Sequence, residues 1–208
     1  MTHQIISTRQ LAPAPWKNGL GTTRVIATEE PRPVESRPMG PEVDAGGPGP
    51  GFLWRLSLAD LVDDSAFSAL PGVDRVFTLV TPGPMELHVG SRAHTLTGRS
   101  QVSFAGEDPV RAVLGQAGPQ QALNVMVDRS RARGEVRVEH LAAGWSALDP
   151  ADVAIFVLSG SVSLRDGGEL AQDQTLRPHG PARIHTDGSA VVARVRVRDQ
   201  VAGHEGVR

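Results

Sequence analysis

An all-β chain, folded as a barrel or as two small barrels, is what this sequence predicts, and three observations predict it. Apolar residues recur in short runs of period two. The runs are punctuated by Gly and Pro, 23 and 16 of the 208 residues, with little sign of an amphipathic helix. A weak repeat is the third. Val76-Phe77-Thr78-Leu79-Val80, then Pro82-Gly83 and Glu86-Leu87, resembles Ile155-Phe156-Val157-Leu158-Ser159-Gly160, then Val162-Ser163-Leu164. In each copy a buried strand meets a glycine turn and then an alternating strand, the pattern of a duplicated barrel half with few short helices.

The elements follow in order. Trp16-Lys17-Asn18-Gly19-Leu20-Gly21-Thr22-Thr23-Arg24 gathers an indole, two cations, a carboxamide and two glycines. That is too many donors to bury without a partner, and glycine lets the main chain approach a ligand. Residues 29–51 are rich in Pro and Gly and have little to bury, so they read as a long mobile loop. Strands are expected over 53–58, 75–80, 85–89, 123–127, 135–140, 153–158, 161–164 and 190–198. Alternation places Arg55, Ser57 and Ala59 on one face of their strand, and Trp54, Leu56 and Leu58 on the other. In the last strand Val191, Ala193, Val195 and Val197 face inward, and Arg194, Arg196 and Arg198 are expected on its wet side. Residues 203–208 read as a frayed tail.

Composition excludes several functions. Formal net charge is -2, so no overall field attracts nucleic acid or an anionic membrane. Cysteine is absent, which removes disulfides, thiolate metal sites and a cysteine nucleophile. No N-terminal apolar run resembles a signal peptide and no segment reaches membrane-spanning length, so a cytoplasmic protein is expected. Gly19 and Gly21 lack the Gly-Lys-Ser/Thr ending of a phosphate loop.

Phe156-Val157-Leu158-Ser159-Gly160-Ser161-Val162 resembles the strand–turn–strand core of the cupin superfamily, and Asp173-Gln174-Thr175-Leu176-Arg177-Pro178-His179-Gly180 resembles its second motif. A wider set is more specific. It comprises Trp16-Lys17-Asn18-Gly19, Thr23-Arg24, Trp54-Arg55-Leu56-Ser57-Leu58-Ala59, Phe67-Ser68, Pro71-Gly72-Val73-Asp74-Arg75, Phe104-Ala105-Gly106-Glu107 and Asn124-Val125-Met126. Together these resemble the HutD/Ves family. The resemblance implies a bicupin, with 1–133 as the N-terminal half and 134–208 as the C-terminal half. It also implies a link to histidine utilisation, with a pathway intermediate bound rather than turned over. Leu20 stands where the family's opening motif has a third glycine, and the loop at 29–51 is longer than expected.

Many cupins hold a metal through two His and a Glu of the first motif and a His of the second. In the C-terminal half these positions fall on Val153, on 146–149 without a His, and on Arg183. In the N-terminal half they fall on Asp74, near Ser68 to Leu70, and on Pro109. Glu86 with His88, or His179 with His185, would supply at most two ligands, short of the usual three or four. No metal and no cofactor is expected.

Arg55 and Ser57 could belong to a wet outer face or to a polar cavity; Arg75 shares a face with Phe77 and Leu79, and Asn124 with Met126. The resemblance favours the cavity. It implies a site in which Lys17, Arg24, Arg55 and Arg75 bind a carboxylate, Asn18, Ser57 and Asn124 satisfy an amide or formyl group, and Trp16 and Phe67 form an apolar wall. The expected ligand is a small anionic metabolite such as N-formylglutamate, with no catalytic residue assigned. Asp74 and Glu107 are candidates for acid–base chemistry but equally ordinary salt-bridge residues, and Ser57 and Ser68 have no recognisable base. Two alternatives stand beside binding: a cupin enzyme acting on a small carboxylate, and a regulatory protein-interaction module that uses the 29–51 loop. Neither nucleic acid nor membrane is an expected partner, and a monomer or homodimer is expected.

Overall fold

The computed structural model describes residues 3–31 and 50–200. The segment 32–49, most of the loop expected at 29–51, and the tail at 203–208 lie outside the described residues. All eight expected strands form, several extended by one to three residues, and eleven others join them. In chain order they are β1 (Gln4–Ser7), β2 (Ala14–Pro15), β3 (Gly21–Glu29), β4 (Trp54–Leu61), β5 (Ser65–Ala66), β6 (Val73–Leu79), β7 (Met85–Val89), β8 (Arg92–Leu96), β9 (Gln101–Ala105) and β10 (Val110–Val113). There follow β11 (Gln120–Asp128), β12 (Ala132–His140), β13 (Gly144–Ala147), β14 (Asp152–Ser159), β15 (Ser161–Leu164), β16 (Glu169–Ala171), β17 (Gln174–Arg177), β18 (Arg183–Thr186) and β19 (Val191–Asp199). Two three-residue 3₁₀ turns are the helical elements among the described residues, and no helix is long and apolar enough to cross a membrane.

Four sheets stack around three apolar layers, the bicupin arrangement. The N-terminal barrel pairs a six-stranded sheet, ordered β2-β3-β4-β11-β6-β9, with a four-stranded sheet, β5-β10-β7-β8. The C-terminal barrel pairs a five-stranded sheet, β1-β17-β14-β19-β12, with β13-β18-β15-β16. The two larger sheets bury a common core of Trp54, Leu56, Leu58, Val125, Phe156, Leu158, Ala193 and Val195. Each barrel also has its own interior, filled by Leu61, Phe77, Leu79 and Leu87 in one and by Ile155, Val157, Leu170 and Ile184 in the other. Because the larger sheets are apolar on both faces, their strands carry near-continuous apolar runs; the smaller sheets alternate.

Three features add to or differ from what the sequence predicts. The first strand, β1, pairs with β17, so residues at the N-terminus join the C-terminal sheet, and β12, at the other edge of that sheet, runs across the expected division at 133/134. The repeat is out of register by one residue: Phe77 fills the N-terminal barrel, whereas Phe156, aligned with it, faces the shared core. A one-residue slip reverses the face of every side chain in a strand. The third concerns Arg194, which is 6% exposed and lies inside the C-terminal barrel mouth rather than on a wet face.

Candidate functional site

The site grows from two rows of side chains across the six-stranded sheet. Met126 on β11 is flanked by Arg55 on β4 and Arg75 on β6, and Arg75 in turn by Phe104 on β9. One row deeper, Asn124 lies between Ser57 and Phe77; deeper still, Ala122 lies between Ala59 and Leu79. Polarity therefore falls from the mouth of the barrel to its floor. Above these rows is a cavity of about 200 Å³, closed at the sides by Trp16, Phe67 and Leu70, with Thr23, Ala66 and Ser68 completing its wall.

Arg75 is the most constrained group. It is 5% exposed, and its guanidinium carbon lies 5.0 Å from the Phe67 ring centre and 5.1 Å from that of Phe104. Its Nη2 donates to Asn124 Oδ1 at 3.3 Å, while Nε of Arg75 and Nε of Arg55 are buried without a partner among the described residues. Burial, followed by the charge of Arg55, pulls the Arg75 guanidinium down to about 10, so it stays a cation at neutral pH. Among the described residues no carboxylate lines the cavity. Two cations line it with unspent donors, an arrangement that favours a bound anion.

The opening motif contributes its indole. Trp16 donates Nε1–H to Thr23 Oγ1 at 2.7 Å and meets Phe67 edge-on, with ring centres 6.2 Å apart. A side chain at Gly21 would meet Trp16 at 2.9 Å and the Asp60 carbonyl at 2.5 Å, so glycine there is what lets the indole lie against the strand. Gly19 turns the chain at φ +72, whereas Leu20 needs no left-handed backbone and donates its N–H to Asn18 Oδ1 at 3.1 Å.

Six of the nine expected site residues, Trp16, Arg55, Ser57, Phe67, Arg75 and Asn124, line this cavity. The other three do not. Lys17 and Asn18 are exposed at the tip of the β2–β3 turn. Arg24 pairs with Asp60. Burial alone would raise the Asp60 carboxyl, but hydrogen bonds from Gln121, Thr22 and Arg24 and the Arg24 charge hold it below the usual carboxylate range. Asp74 and Glu107 both engage Arg129, Glu107 at 2.6 Å, away from the cavity lining. Glu86 and His88 bond to each other at 2.8 Å, and among the described residues no three His, Asp or Glu side chains cluster as metal ligands would. Sequence reasoning missed Phe104 as a clamp on Arg75, although its place opposite Arg75 follows once β6 and β9 are paired.

The C-terminal barrel makes an informative contrast. In the same strand order, Arg196 on β19 lies between Glu135 on β12 and Asp152 on β14: an arginine between two acids, where the N-terminal row has a methionine between two arginines. The fully buried Asp152 carboxylate accepts from Arg194 at 3.1 Å and from Arg196 at 2.7 Å, and Arg194 also lies 2.8 Å from Glu139. That mouth is neutralised from within.

Residues 8–200 match the family model HutD. The chain belongs to the HutD family. It is 35% identical to Protein Ves of Cronobacter sakazakii over 152 residues, 73% of this chain and 74% of that protein. Its fold is that of HutD from Pseudomonas fluorescens SBW25, with a TM-score of 0.73 at 21% identity, covering 96% of this chain and 100% of the other. A cupin 2 conserved barrel domain protein from Leptotrichia buccalis shares the fold at a TM-score of 0.58 and 12% identity, covering 94% and 96%.

Proposed function

We propose that this HutD family member binds a small anionic metabolite in the N-terminal barrel, and that binding rather than turnover is the role of the cavity. One observation carries the reading. Arg55 and Arg75 line a cavity in which, among the described residues, no carboxylate is present and two buried Nε–H groups have no partner. A carboxylate satisfies guanidinium donors two at a time, and Ser57 and Asn124 lie one row deeper to meet a second polar group. Trp16, Phe67 and Met126 suit the aliphatic part of such a ligand. The family name points to histidine utilisation, which makes N-formylglutamate the first candidate.

The test is a thermal-shift and calorimetric screen with N-formylglutamate, urocanate, histidine, glutamate and formate. The reading predicts saturable binding of at least one carboxylate, weakened a hundredfold or more in Arg55→Ala and Arg75→Ala, roughly the 2–5 kcal/mol of a lost charged contact. Binding that survives both substitutions, or no binding to any of the five, contradicts it.

A further inference from the structure

Beyond that reading, we infer a second ligand site, on the C-terminal barrel: a groove that takes a carboxylate carrying an apolar tail. Its volume is about 610 Å³, within the range of small-molecule sites. It opens where β13 and β15 end and β18 begins, and Leu148, Leu164 and Ala182 form its floor. Leu164 is part of that barrel's apolar interior and Leu148 packs against it, so the floor is continuous with the core. The acids of the barrel mouth, Asp149 and Asp152, line a separate, smaller cavity that Leu148 and Pro181 also border.

The rim is cationic. Continuing the β15–β18 register one step beyond Leu164↔Ile184 sets Arg165 opposite Arg183, with Ala147 on the other side of Arg183. Like charges directly opposite one another weaken a strand pair. Among the described residues neither arginine forms an ion pair. Asp166 is the one carboxylate among the described lining residues, against two arginines, and it pairs with neither. His3 reaches the rim because β1 pairs with β17, and its Nδ1 accepts from the His179 N–H at 3.2 Å. With Nδ1 so used, the neutral ring carries its proton on Nε2 and adds a donor. The excursion of β1 thus completes the wall of this groove. A bare anion would leave the apolar floor wet, and an uncharged apolar molecule would leave both arginines unmatched. An aliphatic carboxylate answers both, with its head at Arg165 and Arg183 and its tail along Leu148 and Leu164.

Butyrate, hexanoate and octanoate test this on the full chain by calorimetry at neutral pH. A fully buried methylene strengthens binding about fourfold, and a groove open on one side covers part of each, so about twofold per methylene is expected. Octanoate should therefore bind at least about tenfold more tightly than butyrate. Replacing both exposed arginines, Arg165→Gln with Arg183→Gln, should weaken octanoate at least about fivefold, the worth of two exposed ion pairs. Ala147→Glu, which sets an acid beside Arg183 at an exposed position, should weaken it in the same direction. Arg75→Ala should leave octanoate binding unchanged. No octanoate binding, or octanoate no tighter than butyrate, overturns the inference. Octanoate binding that is lost in Arg75→Ala and kept in the double variant overturns it too, by placing the acid in the N-terminal cavity. None of these failures touches the reading of that cavity, which stands or falls on its own ligands.

Discussion

Arg75 holds a charge that the fold does little to offset. Its guanidinium is flanked by two aromatic rings and one amide oxygen, and it is drawn down to about 10 by burial and then by Arg55. Between that value and its higher ordinary one, the unfolded chain binds more protons than the folded chain. The burden on stability is thus present below about pH 10 and relieved as pH rises through it. Anion affinity should be flat from about pH 7 to 9 and fall above pH 10, with proton uptake on binding in that upper window, measurable by calorimetry in buffers of different ionisation enthalpy. Arg75→Met should abolish anion binding while raising the Tm of the ligand-free protein by about 2 °C or more, because an apolar side chain replaces an unpaired buried cation. Phe104 holds Arg75 from outside the cavity lining. Phe104→Leu should weaken anion binding about fivefold, within the worth of a cation–π contact, while Phe104→Tyr retains it.

At the scale of strands, the two barrels use one geometry with opposite charge patterns. β11 presents Met126 between two arginines; β19 presents Arg196 between Glu135 and Asp152. Asp152→Ala would leave Arg194 and Arg196 without their shared carboxylate and should cost about 3–5 kcal/mol, a fall in Tm of about 10 °C, without changing anion affinity in the other barrel. Alternation in the sequence is enough to sort Arg55, Ser57 and Ala59 from Trp54, Leu56 and Leu58, and both faces then prove to be buried. Alternation cannot say whether a polar face meets water or lines a barrel mouth, which is why Arg194 and Arg196 read as solvent-facing. Lys17 and Asn18 lie off the cavity because a motif fixes neighbours along the chain, while a tight turn at Gly19 sends the indole inward and the adjacent polar groups outward; Arg24 lies off it because Asp60 of the neighbouring strand holds it. Phe104 belongs to the motif set that carries the resemblance, but its role was not legible because it depends on a cross-strand partner 29 positions away, Arg75.

Across the whole molecule, the halves are joined by the shared core between the two larger sheets and by β1, which leaves the N-terminal half to extend the C-terminal sheet. Arg99 donates to Ser159 at 2.9 Å and Arg177 lies over the Trp54 ring, adding contacts between them. The barrels should therefore unfold in one transition, and deleting residues 1–7 should lower the Tm of both together, seen as coincident near-ultraviolet and calorimetric midpoints. The exchange of β1 had no signature in sequence, since a four-residue strand pairs wherever tertiary packing places an open edge. The most direct test of the central claim is a crystal structure grown with saturating N-formylglutamate. A carboxylate lying between Arg55 and Arg75, with both Nε–H groups engaged, is the predicted result; ligand bound elsewhere with that cavity left to solvent would contradict it.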